Sequence, residues 1–134
     1  MKAKDLMVGD WVIARILHDS CPREYIRQIS YGEFEWEDTQ QYPLVEFDPI
    51  PLTPEILKKN GFADSYINKN LDKDEKYRWA DVYGNCIVVD LVECKIKIRH
   101  DTRIVMDLWY NEIVPVHELQ HALKQGGINK KIKI

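Results

Sequence analysis

The sequence predicts an α+β fold: a strongly bent antiparallel sheet carrying two short helices, with an N-terminal part patterned like a small SH3-like barrel. Three observations predict it. Short apolar, β-branched runs separated by turn-forming residues recur across residues 1–50 and 77–113. The connections between them are too short for the crossover helix that parallel neighbours need. Only the stretches 51–62 and 115–127 carry helix start and stop signals at their two ends.

In chain order, Gly9-Asp10 leads into the first strand, Trp11-Val12-Ile13-Ala14-Arg15-Ile16-Leu17. His18-Asp19-Ser20-Cys21-Pro22 has the composition of a turn. Glu24 to Ser30 forms a second strand. Glu33-Phe34-Glu35-Trp36-Glu37 alternates strictly, which puts Phe34 and Trp36 on one face and the three glutamates on the other. Leu44 to Phe47 adds a short strand. A glycine-led entry into short twisted strands is the SH3-like pattern.

The helix within 51–62 has complete punctuation. The Thr53 hydroxyl can cap the first turn, and Pro54 suits the first helical position, where no amide donor is needed. Glu55 suits the positive end, and Lys58 and Lys59 the negative end. Asn60-Gly61 ends it, glycine taking a left-handed backbone. Ile56 and Leu57 are its apolar anchors. Residues 63–76 are polar and read as a solvent-exposed loop. Residues 77–113 read as a three-stranded meander: Tyr77 to Val82; a long run that is apolar on both faces from Cys86 through Val92 and then one-sided, Ile96 and Ile98 alternating with Lys95, Lys97 and Arg99; and Arg103 to Trp109 after the turn His100-Asp101-Thr102. Pro115 begins the second helix and Gly126-Gly127 ends it. Ile128 to Ile134 is expected to pair with a sheet edge.

At 134 residues the chain is expected to form a single domain, 1–134. A net charge of −3 gives no general attraction to nucleic acid or an anionic membrane. No apolar run approaches the roughly 18 residues of a membrane span, and the opening residues lack the pattern of a secretory signal. Cys21, Cys86 and Cys94 form no Cys-x-x-Cys, and so sparse and odd a set fits reduced thiols in a cytoplasm.

His117-Glu118-Leu119-Gln120-His121 reads His-Glu-x-x-His, the zinc site of many metallohydrolases when it lies on a helix. At about 100° per residue, Val116, Leu119, Ala122 and Leu123 form the apolar stripe, and His117 and His121 fall together on another face with Lys124. That placement allows chelation, and it is also where an amphipathic helix keeps solvent-facing polar groups. Three points favour the polar face. A catalytic zinc needs a third protein ligand, and after His121 the chain offers no His, Cys, Asp or Glu, so the ligand must come from upstream, as from His18, His100 or an acid. Pro115 leaves His117 in the first turn. Lys124 brings an ammonium to the same side.

Other surfaces have plainer readings. Glu33, Glu35 and Glu37 with Asp38 can meet a basic partner, and they also serve as a solvated face that discourages edge pairing. Trp11, Phe34, Trp36, Trp79 and Trp109 read mainly as packing residues. Lys95, Lys97 and Arg99, extended by Arg103, form a basic row, which on one strand alone is short for phosphate binding.

Three phrases stand out together: Leu6-Met7-Val8-Gly9-Asp10-Trp11-Val12; Pro49-Ile50-Pro51-Leu52-Thr53-Pro54-Glu55-Ile56-Leu57, running on to Asn60-Gly61-Phe62; and Val116-His117-Glu118-Leu119-Gln120. They resemble a family of small uncharacterised proteins of gut bacteria, often found beside phage and mobile-element genes. The family's late segment looks like a Val-His-x-Leu-Gln block. The resemblance therefore implies that Glu118 and His121 lie outside the family pattern, and it transfers no catalytic residue.

The resulting expectation is a cytoplasmic, non-enzymatic binding module with no catalytic, cofactor-binding or metal-ligating residue assigned and no cofactor. Its expected partner is another protein, met through the face of Glu33, Glu35 and Glu37; neither nucleic acid nor a membrane is expected. The alternative is a zinc-dependent hydrolase in which His117 and His121 bind the metal, Glu118 acts as general base on its water, and an upstream group completes the site. A third class, a nucleic-acid binder using Lys95, Lys97, Arg99 and Arg103, predicts salt-sensitive retention on DNA or RNA.

Overall fold

Alternation of apolar and polar residues draws two separate antiparallel sheets out of this chain. A computed structural model describes residues 6–16, 23–29, 45–64 and 76–134. The chain divides into two units, Met1–Ile50 and Pro51–Ile134, each with its own sheet. The α+β class holds, with two sheets where one bent sheet was expected.

In the first unit, β1 (Trp11–Ile16) pairs with β2 (Arg23–Gln28) on one side and β3 (Val45–Pro49) on the other. Val12 and Ala14 point to the buried face and form a small core with Leu6, Ile29 and Phe47. The entry turn is fixed by Gly9, whose φ of +92° is open to a residue without a side chain. The Asp10 carboxylate accepts from the Met7 amide at 2.7 Å. The Gly9 amide donates to the Ile29 carbonyl at 2.8 Å, tying the turn to the end of β2. Among the described residues the SH3-like barrel is not closed: β2 and β3 each pair with β1 and not with each other. Closure requires those outer strands to find partners. The alternating stretch 33–37, His18, Cys21 and most of the polar segment 63–76 lie outside the described residues.

The second unit starts with α1 (Pro54–Lys59), capped as its sequence requires: the Thr53 hydroxyl accepts from the Ile56 amide at 3.2 Å. Gly61 follows with φ +85°. A meander comes next, in the order β4 (Ala63–Asp64), β5 (Lys76–Ala80), β6 (Asn85–Asp90), β7 (Lys95–His100) and β8 (Arg103–Trp109). The long run read as one strand from Cys86 through Arg99 is two strands. The chain reverses at 91–94, where the Asp90 carboxylate accepts from the Val92 and Glu93 amides at 3.0 and 2.9 Å. Cys94 completes the turn with φ +54°. An aspartate that bonds the backbone beyond it supplies the turn without glycine or proline.

Tyr77, Ile87, Val89, Ile96 and Ile98 are buried on one face of this sheet. The helix α2 (Val116–Gln125) buries Val116, Leu119, Ala122 and Leu123 and lies against β7. A methyl group at Gly126 would meet the Ala122 carbonyl at 3.2 Å and Ile98 at 3.4 Å, so the helix ends where only glycine fits without displacement. The tail 128–134 is not a strand. It is held instead by the buried Asn60 side chain, whose amide nitrogen donates to the Ile56 and Lys133 carbonyls at 2.8 and 2.7 Å. The Asn60 amide oxygen accepts from the Lys133 N–H at 2.7 Å. One side chain thus imitates a strand partner, and Ile128 and Ile132 stay buried.

Removing that clamp strands a buried amide and carbonyl. Asn60→Ala is expected to cost about 2–3 kcal/mol. Urea unfolding should show it, with faster amide exchange confined first to the tail; unchanged exchange at Lys133 would contradict this role.

Candidate functional site

The same alternation that buries Ile96 and Ile98 sends Lys95, Lys97 and Arg99 to the opposite face of the second sheet. The reversal at 91–94 gives that face neighbours. In register across it, Lys76, Asp90, Lys95 and Trp109 form one cross-strand row, and Arg78, Val88, Lys97 and Asp107 form the next. The β5, β6 and β7 members of these rows, with Cys86 and Arg99, line a concavity of about 300 Å³ whose walls carry five cations, Lys76, Arg78, Lys95, Lys97 and Arg99, and one acid, Asp90; Asp107 and Trp109 stand beside it on β8.

Each cation is held differently. The Lys95 ammonium lies 2.8 Å from the Glu93 carboxylate and 4.6 Å from the centre of the Trp109 ring. Its hydrogen bond to Glu93 raises the pKa of Lys95 and lowers that of Glu93, so both stay charged. Arg78 donates its Nε–H to the Cys86 sulfur at 3.1 Å. Asp90 is buried and already accepts two turn amides, so its charge is largely committed. Among the described residues, no salt bridge holds Lys76, Arg78, Lys97 or Arg99. Cations without a salt bridge on a concave wall attract anions in solution.

Lys76 and Arg78 are the residues that sequence reasoning missed. Their signal is the alternation Lys76-Tyr77-Arg78-Trp79, which matches Lys95-Ile96-Lys97-Ile98. What was lacking was the strand count that puts both on one face. Arg103, expected to extend the row, pairs with His100 beyond the bulge at Ile98/Arg99 and does not line the concavity. Trp109 is 63% exposed at the margin of this face. Trp79 lies instead under Lys130, 4.7 Å from ring to ammonium. The expected acidic surface of Glu33, Glu35 and Glu37 lies outside the described residues.

His117 and His121 are one turn apart on α2, as the motif requires, but His117 does not face solvent. It is 3% exposed, and its ring meets that of His121 edge to face at 5.5 Å. Its Nε2 lies 3.6 Å from a Glu118 oxygen. The wheel could not show this because it counts only the helix's own residues; the chain entering the helix is itself tied down, Leu52 donating to the Val114 carbonyl at 2.8 Å and Pro51 bridging Pro115. Among the described residues no group of three His, Cys, Asp or Glu side chains is placed to hold a metal. Nearby, the Tyr110 hydroxyl is buried without a hydrogen-bond partner among the described residues. Burial, and then the Glu118 charge, push its pKa up to about 12.

Comparison with protein-family models, with curated proteins and with solved structures finds no match. The geometry of the site is therefore what speaks for function. Among the described residues no helix is long and apolar enough to cross a membrane.

Two measurements probe the helix. After dialysis against zinc and then metal-free buffer, elemental analysis is expected to show no stoichiometric metal. About one zinc per chain, lost in His117→Ala, would restore the hydrolase reading. Tyr110 is expected to ionise above the ordinary tyrosine value of 10.0. Because its folded pKa is raised, its contribution to stability is complete below the ordinary value of 10.0 and is lost as pH rises toward about 12. Tyr110→Phe should remove the late step in an alkaline absorbance titration and, by deleting an unsatisfied hydroxyl, raise stability by roughly 1 kcal/mol.

Proposed function

We propose that this protein is a binding module without catalytic machinery, and that its working surface is the cationic concave face of the second sheet, which takes an anionic macromolecule. The observation that carries this reading is the meeting of Lys76 and Arg78 from β5 with Lys95, Lys97 and Arg99 from β7 around one concavity. A chain of net charge −3 has no need to gather five cations there for solubility. A concave surface lined by one sign of charge also focuses the field more than a flat one does. The compartment belonging to this reading is the cytoplasm, on the sparse cysteines. Membership in the family that the three sequence phrases resemble rests on those phrases alone.

The expected partner thereby shifts from a basic protein meeting glutamates to a polyanion meeting lysines and arginines. On a heparin column at low salt the protein should be retained despite its net negative charge. Neutralising Lys76, Arg78, Lys97 and Arg99 together to Gln should bring elution to markedly lower salt. Lys58→Gln with Lys59→Gln, on α1, should elute like the wild type. A wild type that flows through, or variants that elute alike, would refute the surface.

A further inference from the structure

The cationic face holds more than charge, and its other groups narrow the class of anion. We infer that the anionic macromolecule is single-stranded nucleic acid, its phosphates on the β5 and β7 cations and a base stacked on Trp109. This rests on the polyanion reading above.

Three observations favour a nucleic acid strand over other polyanions. The first is spacing. Lys95, Lys97 and Arg99 alternate along one strand, and so recur about every 6.7 Å. Lys76 and Arg78 run alongside on β5, with β6 between, so the cations border a trough that a single flexible backbone can follow. The second is the aromatic. Trp109 stands directly opposite Lys95 in the register, on the same face, and is 63% exposed. Lys95 sits over its ring at 4.6 Å, so the indole is oriented by a cation and still presents surface to a flat π system. An acidic peptide offers carboxylates to the cations but no flat ring in step with them. The third is Asp107, which sits on the same face, in register with Lys97. A carboxylate there repels phosphates as it repels any anion, but of these ligands only a nucleic acid offers it the exocyclic amino group of a base to accept from. A flat anionic bilayer also cannot bring its headgroups down into a concavity, whereas a strand can.

Stacking on an indole together with backbone cations gives binding that tolerates sequence and falls steeply with salt. Four phosphate contacts on single-stranded nucleic acid correspond to a slope of about −2.8 in log affinity against log salt. A fourfold rise in salt should then weaken binding roughly 50-fold.

The test is fluorescence anisotropy of full-length protein against three labelled probes: a mixed-sequence single-stranded DNA or RNA oligonucleotide, a poly-glutamate peptide, and, by co-sedimentation, vesicles of phosphatidylserine with phosphatidylcholine. The oligonucleotide is expected to bind well above the other two. Lys97→Gln with Arg99→Gln should weaken it and make the salt slope shallower by about 1.4. Trp109→Ala should cost roughly tenfold in affinity at unchanged slope, and Trp109→Phe should recover most of the loss. Trp109 is exposed, so its replacement leaves the core intact, and circular dichroism confirms the fold of each variant. Equal binding of oligonucleotide and poly-glutamate, preference for the vesicles, or a Trp109→Ala variant that binds like wild type would each overturn the nucleic-acid assignment while leaving the polyanion surface standing. Failure of all three probes would overturn both.

Discussion

The reversal at 91–94 is the constraint on which the second unit depends. Without it, residues 85–100 would be one long strand, with lysines at one end and valines at the other. Asp90 accepts two amides of the turn, and Cys94 takes the left-handed backbone that an L-residue adopts only at some cost. The return has two consequences. It brings Ile96 and Ile98 opposite Val89 and Ile87, which makes a continuous apolar face for α2 to cover. It also brings Lys95 and Lys97 opposite Asp90 and Val88, which makes the cationic face. Core and candidate site are thus the two sides of one folding event, since in a sheet every residue turned inward fixes where its neighbours point.

The tail and the second helix are secured by a different device. Asn60 does with one side chain what a neighbouring strand would do with its backbone, donating to and accepting from Lys133. The position is available because α1 ends there: the Asn60 amide still closes the helix on the Ile56 carbonyl while its side chain turns to the tail. The helix stop and the tail clamp are one residue, which explains why the alternating lysines and isoleucines at the C-terminus form no strand.

Much of this was legible from sequence, and the failures have physical causes. The α1 helix was readable because its signals are local: Thr53, Pro54, the charge order and Asn60-Gly61 each act within a turn of where they stand. The strands β5 and β8 followed from alternation and flanking turns. The turn at 91–94 was hidden because it uses Asp90 and Cys94 rather than glycine or proline. Losing it concealed the cationic face, since Lys76 and Arg78 join Lys95 only through the strand order. His117 was misplaced for a related reason: a helical wheel shows only which residues share a side, and chain packed from outside the helix can cover a polar side as readily as an apolar one.

The crowding of the cations has an energetic reading of its own. Two like charges about 6.7 Å apart on alternate strand positions repel by about 0.6 kcal/mol even at the dielectric of bulk water, and several such pairs meet on this face. Glu93 and Asp90 offset part of the repulsion at Lys95, as the shifts at Lys95 and Glu93 indicate. They do not reach Arg78 or Arg99, for which no salt bridge is present among the described residues. A sheet face needed only for solubility is better served by mixed charge, as on the first sheet, where Arg15 is bracketed by Glu24 and Asp48 at 3.0 and 2.8 Å. The contrast between the two sheets is physical: folding alone would favour neutralising the cationic face, and an anion brought from outside would relieve the repulsion without changing the residues.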